Sequence, residues 1–482
     1  MKIYKYILPL LLVLGGCSDF LDYKDKDKVI PSNLDEYNEL IFGELIAKSS
    51  EAVCYNIMIM SDDVGSMVNG NERDYRDDYL SWYNWAKEPQ MKKNGDELID
   101  PAWEFFYHKI LICNMIEEKV NEFEDDAEGM KFRLLGEVQA IRAMSYWYLI
   151  NMYGEPWRSE EQAKTAMGVP VNTETSIVDK TYVRETLAKN YELIEADLKS
   201  ALNNLEKGEV MKTVFRPNKE VIRLFLSRIY LEQKRFDEVI TVCSDLLEET
   251  SKSVMTLERL RINYDNWTSY DPIISRDATN LLFSWWNRGA VAGFNVTEYS
   301  VGKFCVSPDL MAIATENSND IRGNSYTFWN YNGTELYKYK SDYSKCFGMN
   351  YRVEEVYFNR AEAYLNTNQR DLAMADLTEV YKQRIMNEAN PKLEAASDEE
   401  AVEIFRKEKR KEFCFEDIRW FDIRRWGLAV EHVYQNINNK EVYETYVLEA
   451  ESPNYVLSLP MDLQRRNDKI EQPQRVETIV KN

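Results

Sequence analysis

The stretch RKEKRKEFCFEDIRWFDIRRWG, from Arg406 to Gly427, decides the fold because acids, bases and apolar residues recur in it at helical spacing. Charges three or four residues apart on a helix form ion pairs. Carboxylates balanced by neighbouring arginines are more typical of structural networks than of catalytic acid pairs. We therefore predict a structural cluster of charges around an apolar seam. The charged residues are Glu408, Glu412, Glu416, Arg419, Asp422 and Arg425, and the seam is Phe413, Ile418, Phe421 and Ile423.

Two pairs of amphipathic helices are predicted upstream of this stretch. In the later pair, Ala361, Tyr364 and Ala373 take the small, aromatic and small positions of a tetratricopeptide repeat. The earlier pair fits the repeat only in part. The sequence therefore favours diverged helix pairs separated by insertions over a continuous solenoid. The predicted pairs are 218–232 with 237–248, and 351–366 with 371–384.

Longer helices and one long insertion complete a mainly α-helical prediction. The helices show apolar residues at steps of three and four. The insertion, about 257–350, is rich in Gly, Asn, Ser, Thr and aromatic residues and contains one predicted buried strand at 280–286. We expect loops and small sheet elements there, where a binding surface can be built on the helical scaffold. The further predicted helices are 33–48, 101–120, 132–153 and 181–205.

The N-terminus has the pattern of a bacterial lipoprotein export signal. Lys2 and Lys5 precede a short apolar run, and small residues lead into Cys17. Because a membrane helix needs about 20 apolar residues, this run is too short for a permanent span. We expect acylation of Cys17, with palmitate among its chains; an ordinary secretory signal is the alternative. The predicted segments are a signal peptide at 1–16, a charged flexible tether at 17–31 and a single domain at 32–482.

Charge and composition argue against several kinds of function. The chain carries 60 Lys and Arg against 82 Asp and Glu, and its net charge of −22 disfavours a nucleic-acid partner. The two histidines, His108 and His432, lie in helix-like sequence and are predicted to be structural. This weakens the hypotheses of a Ser-His-Asp site or a zinc site. The sequence indicates no cofactor and no metal.

Six cysteines besides Cys17 are spaced too irregularly for a metal site. Cys113, Cys243 and Cys414 lie in helix-like apolar stretches and are predicted to be buried and inert. A Cys305–Cys346 disulfide suits an exported protein, but the sequence alone leaves the pairing open.

The Arg406–Gly427 stretch resembles the signature of SusD/RagB-family outer-membrane lipoproteins, in which such a pattern joins two helices. Lys409 and Asp417 depart from that signature, and both substitutions preserve what the fold requires of the position. The resemblance spans nearly the whole chain. Its other matching segments are 17–22, 142–149 with 153–156, 360–364, and Leu459-Pro460 with Asn467 and Gln472, where Pro473 replaces the family's last Asn.

The resemblance implies a mainly α, SusD-like fold and a surface-exposed protein of the cell outer membrane, anchored by its lipid and without catalytic activity. It implies nutrient uptake: the protein would bind a glycan and deliver it to a SusC-like TonB-dependent transporter. A peptide ligand, as in RagB-like members, is the alternative. A lipid-anchored glycoside hydrolase with two facing carboxyls, and a tetratricopeptide scaffold for outer-membrane assembly, are further alternatives.

Two loop-like segments combine the residue types that sugar binding needs. Sugar rings stack their C–H faces on aromatic rings and offer their edges to carboxylate, amide or guanidinium groups. For Trp82 and Trp85, a shared helical face keeps core packing open as the alternative. The predicted glycan-binding residues are Asp62, Arg73, Trp82, Tyr83 and Trp85 in the first segment, and Trp267, Trp329 and Tyr331 in the insertion.

Overall fold

A computed structural model of the chain describes much of the sequence that follows the predicted tether. Cys17, the signal peptide and Cys346 lie outside the described residues. The described residues are 31–46, 53–68, 79–124, 129–178, 180–260, 279–285, 304–323, 328–331, 335–338, 349–436, 439 and 441–481.

Helices dominate the described chain and several begin at side-chain caps. Asn33, Asn218 and Ser397 each accept a hydrogen bond from a backbone N–H of the first turn that follows. Such caps satisfy donors that have no partner within the helix. In chain order, α1 to α15 span Leu34–Leu40, Tyr55–Ile59, Leu80–Tyr83, Ala102–Asn121, Met130–Tyr153, Glu160–Ala163, Leu187–Lys207, Lys219–Glu232, Phe236–Glu249, Pro308–Ala314, Val353–Asn366, Arg370–Tyr381, Asp398–Phe413, Arg419–Trp426 and Met461–Arg466.

The central helix is α5, which packs against both α4 and α7 and is buried on almost every side. Because almost every side of α5 is buried, some of its polar side chains also lie inside the protein, where they need hydrogen-bond or ion-pair partners. Glu137, for example, accepts from Arg133 at 3.1 Å and from Arg216 at 2.8 Å. The large hydrophobic cluster around α5 includes residues from Tyr37 to Ile470.

The two predicted helix pairs are α8 with α9 and α11 with α12. Ala361 and Ala373 are fully buried and let α11 approach α12 closely, and α11 also packs against α9, so that the pairs stack. The mainly α fold with diverged tetratricopeptide-like pairs is confirmed. The start of α11 is at Val353 instead of Tyr351, because Met349–Arg352 forms a strand. A second, smaller hydrophobic cluster joins α11, α12 and α13.

Short strands form small sheets, and these are not confined to the insertion. The predicted strand at 280–286 is confirmed as β2, which pairs with β6. Four strands of the sheet β3-β1-β7-β8-β9 lie outside the insertion, and their long-range pairing has no local sequence signal. In chain order, β1 to β9 span Val64–Val68, Leu281–Trp285, Phe304–Val306, Phe328–Tyr331, Glu335–Lys338, Met349–Arg352, Val430–Asn436, Val442–Leu448 and Ile479–Lys481.

None of the helices in the described ranges combines the length and the apolar character that a membrane crossing requires. Buried free thiols confirm the prediction for Cys113, Cys243 and Cys414. Burial raises the pKa of Cys113 and of Cys243 to about 12, so both thiols stay protonated and unreactive.

Candidate functional site

The charges of α13 bind residues from distant elements. Glu412 Oε1 lies 2.7 Å from Arg352 Nη1 and 2.7 Å from Arg384 Nη2, and Glu412 Oε2 lies 3.4 Å from Arg322 Nη1. Burial by itself would raise the pKa of Glu412, but Arg384 and Arg352 hold it well below its usual value. The prediction of a structural charge network is confirmed, since this carboxylate is surrounded by arginines inside the protein.

The first predicted group of aromatic platforms lies in the hydrophobic core. Trp82, Tyr83 and Trp85 are 3%, 0% and 1% exposed. Trp85 Nε1 donates to the Met60 carbonyl at 2.9 Å, as a buried indole requires. The core alternative is therefore confirmed for Trp82 and Trp85. The prediction that these three residues stack on a glycan is wrong, because a ring without exposed surface offers no face to a ligand.

His432 lies between two of these core rings. Its ring centroid is 4.3 Å from that of Tyr83 and 4.2 Å from that of Trp85. Burial lowers the pKa of His432 to about 4, although hydrogen bonding to the backbone carbonyls of Tyr83 and Ser61 acts to raise it. The predicted structural role is confirmed, but the residue lies on strand β7 and not in a helix. His108 lies half-exposed on α4, with Nε2 3.7 Å from Glu44 Oε2.

Asp62 binds two arginines of the Arg406–Gly427 stretch, Arg410 and Arg419. Arg419 Nε and Nη2 each lie 2.7 Å from an Asp62 carboxylate oxygen, and Arg410 Nη1 lies 3.5 Å away. Burial would raise the pKa of Asp62, but Arg419 and Arg410 hold it well below its usual value. The predicted glycan contact is wrong for Asp62, because both of its oxygens already accept hydrogen bonds that attach α14 to this residue, two positions before β1.

The structure describes only two of the remaining predicted glycan-binding residues, which are Arg73 of the first segment and the three residues of the insertion. Arg73 and Trp267 lie outside the described residues, and their roles stay predictions. Trp329 and Tyr331 lie on β4, where the register with β5 pairs Trp329 with Tyr337 and Tyr331 with Glu335. Because alternate residues of a strand share a face, these four positions belong to one face of the hairpin. Glycan contact by Trp329 and Tyr331 also stays a prediction.

A recess opens where the ends of both helix pairs meet α13 and α14. Its volume is about 340 Å³, near the lower end of the range for small-molecule pockets. We call it the Trp426 recess. Its walls are Leu231, Glu232, Lys234 and Phe236 around the α8–α9 turn, Glu362, Leu365 and Asn366 on α11, Val402, Phe405 and Arg406 on α13, and Arg425 and Trp426 at the end of α14.

Glu362 holds the Trp426 side of the recess in place. Trp426 Nε1 donates to Glu362 Oε1 at 2.8 Å, and Arg425 Nη2 donates to Glu362 Oε2 at 2.9 Å. Burial would raise the pKa of Glu362, but Arg425 and Lys409 lower it to about 2. This carboxylate is therefore charged at neutral pH, and both of its oxygens accept hydrogen bonds from the protein.

Glu232, the last residue of α8, is the second carboxyl of the recess, and it differs from Glu362 in its hydrogen bonding. Its side chain is buried and accepts no hydrogen bond from the described residues; Arg425 Nε lies 3.8 Å from Oε1, beyond hydrogen-bonding distance. Burial raises the pKa of Glu232 to about 7. The nearby carboxylates Asp422 and Glu362 also raise this pKa, while Arg425 and Arg424 lower it. Glu232 is thus a largely buried carboxyl at the wall of a cavity, with Arg425 as an ion-pair partner but with no hydrogen-bond donor among the described residues.

Two carboxyls with separated pKa values in one cavity match one requirement of a glycoside hydrolase. In such an enzyme, the low-pKa carboxylate must attack the sugar or activate a water molecule. Glu362 is poorly suited to that role, because Arg425 and Trp426 already donate to its two oxygens. The arrangement suits binding better than cleavage.

Two family models match the chain along most of its length. The model described as the SusD family matches residues 278–456, which contain the Arg406–Gly427 stretch. The model described as starch-binding and associating with the outer membrane matches residues 19–231. The chain belongs to the SusD/RagB family.

Solved structures of SusD proteins share the fold. A putative sugar-binding protein of Bacteroides vulgatus is 19% identical with a TM-score of 0.69, over 92% of this chain and 99% of that chain. A SusD superfamily protein of Bacteroides thetaiotaomicron is 19% identical with a TM-score of 0.69, over 92% of this chain and 98% of that chain. A SusD-like protein of Formosa agariphila is 18% identical over 264 residues, and the chain spans only about half (48%) of that relative's length.

Within this SusD-family chain, sequence reasoning overlooked the Trp426 recess. Trp426 is visible near the end of the family signature, but it belongs neither to the predicted charge cluster nor to its apolar seam. Glu232 was visible as an acid next to the short break between two predicted helices. Glu232 and Trp426 line the same recess because α11 stacks on α9, and no spacing along the chain reveals this stacking.

Proposed function

We propose that this protein binds an oligosaccharide or polysaccharide and delivers it to a SusC-like TonB-dependent transporter. Acyl chains on Cys17 would hold it in the outer membrane facing the cell exterior, with residues 17–31 as the tether. Membership of a family described as starch-binding and associated with the outer membrane supports this function. Binding without catalysis agrees with that description.

The observation that carries the proposal is the composition of the Trp426 recess. Around one cavity of about 340 Å³, it combines the indole of Trp426, the carboxyl of Glu232 and the guanidinium of the exposed Arg406. None of the described residues donates a hydrogen bond to the Glu232 carboxyl. A sugar ring needs these groups: an apolar surface for its C–H face and polar side chains for its hydroxyls. The hairpin positions of Trp329 and Tyr331 would add a second contact outside the recess.

Titration calorimetry against a panel of polysaccharides and peptides tests the ligand class. We expect saturable binding to at least one glycan, and Trp329→Ala should weaken it without a change in thermal stability. Saturable binding to peptides with none to any glycan would replace the proposal by peptide capture. Time-dependent cleavage of a bound oligosaccharide would favour the hydrolase instead.

The transporter partner is tested separately, by affinity capture of the lipidated protein from detergent-solubilised outer membranes. We expect a TonB-dependent barrel to co-purify. A Cys17→Ser variant should appear in the soluble fraction, because it lacks the acyl chains that hold the protein in the membrane. Repeated capture without a barrel would count against delivery, and a membrane-bound Cys17→Ser protein would count against the anchor.

A further inference from the structure

The Trp426 recess is lined by a largely buried carboxyl, Glu232, to which none of the described residues donates a hydrogen bond. Glu232 is 5% exposed, and Arg425 Nε, with which it forms an ion pair, is 3.8 Å away. A buried polar group without a hydrogen bond is costly, so proteins rarely keep one without water or a ligand to pair with it. Hydroxyl groups are suitable donors because a carboxyl can accept from two of them at once.

The recess is also locally positive on a strongly acidic protein. Lys234, Arg406 and Arg425 line it against Glu232 and Glu362, and the whole chain carries a net charge of −22. Arg425 is already paired with Glu362. Burial shifts the pKa of Glu232 to about 7, so this acid is only partly charged at neutral pH. The surplus charge of the recess therefore favours an anionic group.

Arg406 is the group placed to receive that anion. Its guanidinium lies 5.4 Å from the Trp426 ring centroid, and the residue is exposed. Arg406 makes no ion pair with the carboxylates of the described ranges. The guanidinium fork can bind a carboxylate through two parallel hydrogen bonds.

Apolar side chains between these polar groups set the shape of the ligand. Phe236 and Leu365 line the recess beside the half-buried Trp426. Apolar walls with a few polar groups suit a ring that has C–H faces and a polar edge. A flexible acidic peptide has no such rigid faces and would lose more conformational freedom on binding.

We propose that the Trp426 recess binds an acidic sugar residue, a pyranose ring that carries a carboxylate. Arg406 takes the carboxylate, Glu232 accepts hydrogen bonds from ring hydroxyls, and the apolar wall contacts the C–H face. This inference rests on the proposed function and narrows its ligand to acidic glycans, with a uronic acid as the simplest case.

The test compares a trisaccharide of galacturonic acid with a galactose trisaccharide of the same linkage, by titration calorimetry at several pH values. We expect the acidic sugar to bind more tightly, and Arg406→Gln to weaken its binding by about 10- to 100-fold while the weak binding of the neutral sugar stays unchanged. Arg465→Gln is the matched control, because Arg465 is an exposed arginine whose ion pair with Glu97 spans 3.9 Å.

The pH dependence separates a role of Glu232 in binding from a structural one. Affinity for the acidic sugar should fall as pH rises through about 7, because ionised Glu232 then opposes the anion. Glu232→Gln should remove this pH dependence without loss of fold.

Equal binding of acidic and neutral sugars, or acidic-sugar binding that Arg406→Gln leaves intact, would overturn the inference while glycan binding stands. Binding of triglutamate at the recess would show that its ligand is an acidic peptide and not an acidic sugar. Absence of binding to any glycan would instead defeat the proposed function itself.

Discussion

At the residue scale, burial decides what an aromatic side chain can do. Trp82 packs edge-on against Tyr55 at 6.3 Å between ring centroids and stacks on Tyr79 at 5.6 Å. Trp426, by contrast, is half-buried with its Nε1 held by Glu362. Both tryptophans occur in polar sequence, but Trp82 belongs to the core whereas Trp426 is partly exposed at the wall of the recess.

Trp82→Ala should destabilise the protein by about 3–5 kcal/mol, because it removes a large buried side chain and leaves a cavity. Urea unfolding followed by circular dichroism measures the change. Phe42→Ala is the matched control, since Phe42 is 37% exposed and its loss should cost much less. Equal effects for the two variants would contradict the placement of Trp82 in the core.

At the element scale, the end of α14 positions the recess. Gly427 follows Trp426 with φ of +67°, the left-handed conformation that ends a helix. A Cβ at this position would meet the carboxylate of Glu451. Glycine is therefore required by the backbone conformation, whereas the largely exposed Glu451 side chain can move away from a Cβ.

Gly427→Ala should cost about 1–2 kcal/mol of unfolding free energy, because the left-handed conformation is unfavourable for a residue with a Cβ. It should also weaken ligand binding at the recess, because Trp426 is the adjacent residue. Gly43→Ala is the control: Gly43 is exposed and has open space around its Cβ position. That change should be neutral or stabilising. A larger loss of unfolding free energy for Gly43→Ala than for Gly427→Ala would refute this account.

At the scale of the whole molecule, one charge network connects distant parts of the chain. Glu412 on α13 binds Arg352 of β6, Arg384 after α12 and Arg322 after α10. Asn280, which precedes β2, donates to Glu354, and Arg384 Nη2 lies 3.1 Å from the same acid. Ionic contacts therefore link the helix pairs to the insertion.

Glu412→Gln should destabilise the protein by about 3–5 kcal/mol at neutral pH, because it leaves buried arginines without their counter-charge. The pKa of Glu412 is held well below its unfolded value of 4.5, so its contribution is present above pH 4.5 and is lost as pH falls further. In urea unfolding, the difference in unfolding free energy between wild type and Glu412→Gln should therefore become smaller below that pH. Glu403→Gln, an exposed change on the same helix, is the control, and a pH-independent difference would contradict the mechanism.

The sequence by itself determined most of the helices, the two helix pairs and the family, because helical periodicity, small residues such as Ala361 and the Arg406–Gly427 stretch are local patterns. It could not determine which aromatic residues reach the surface, because Trp85, for example, packs against residues hundreds of positions away, such as His432 and Asn454. Only the tertiary structure placed Glu232 beside Trp426. Burial and charge depend on neighbours in space, and the stacking of helix ends that creates the recess is not encoded at any spacing along the chain.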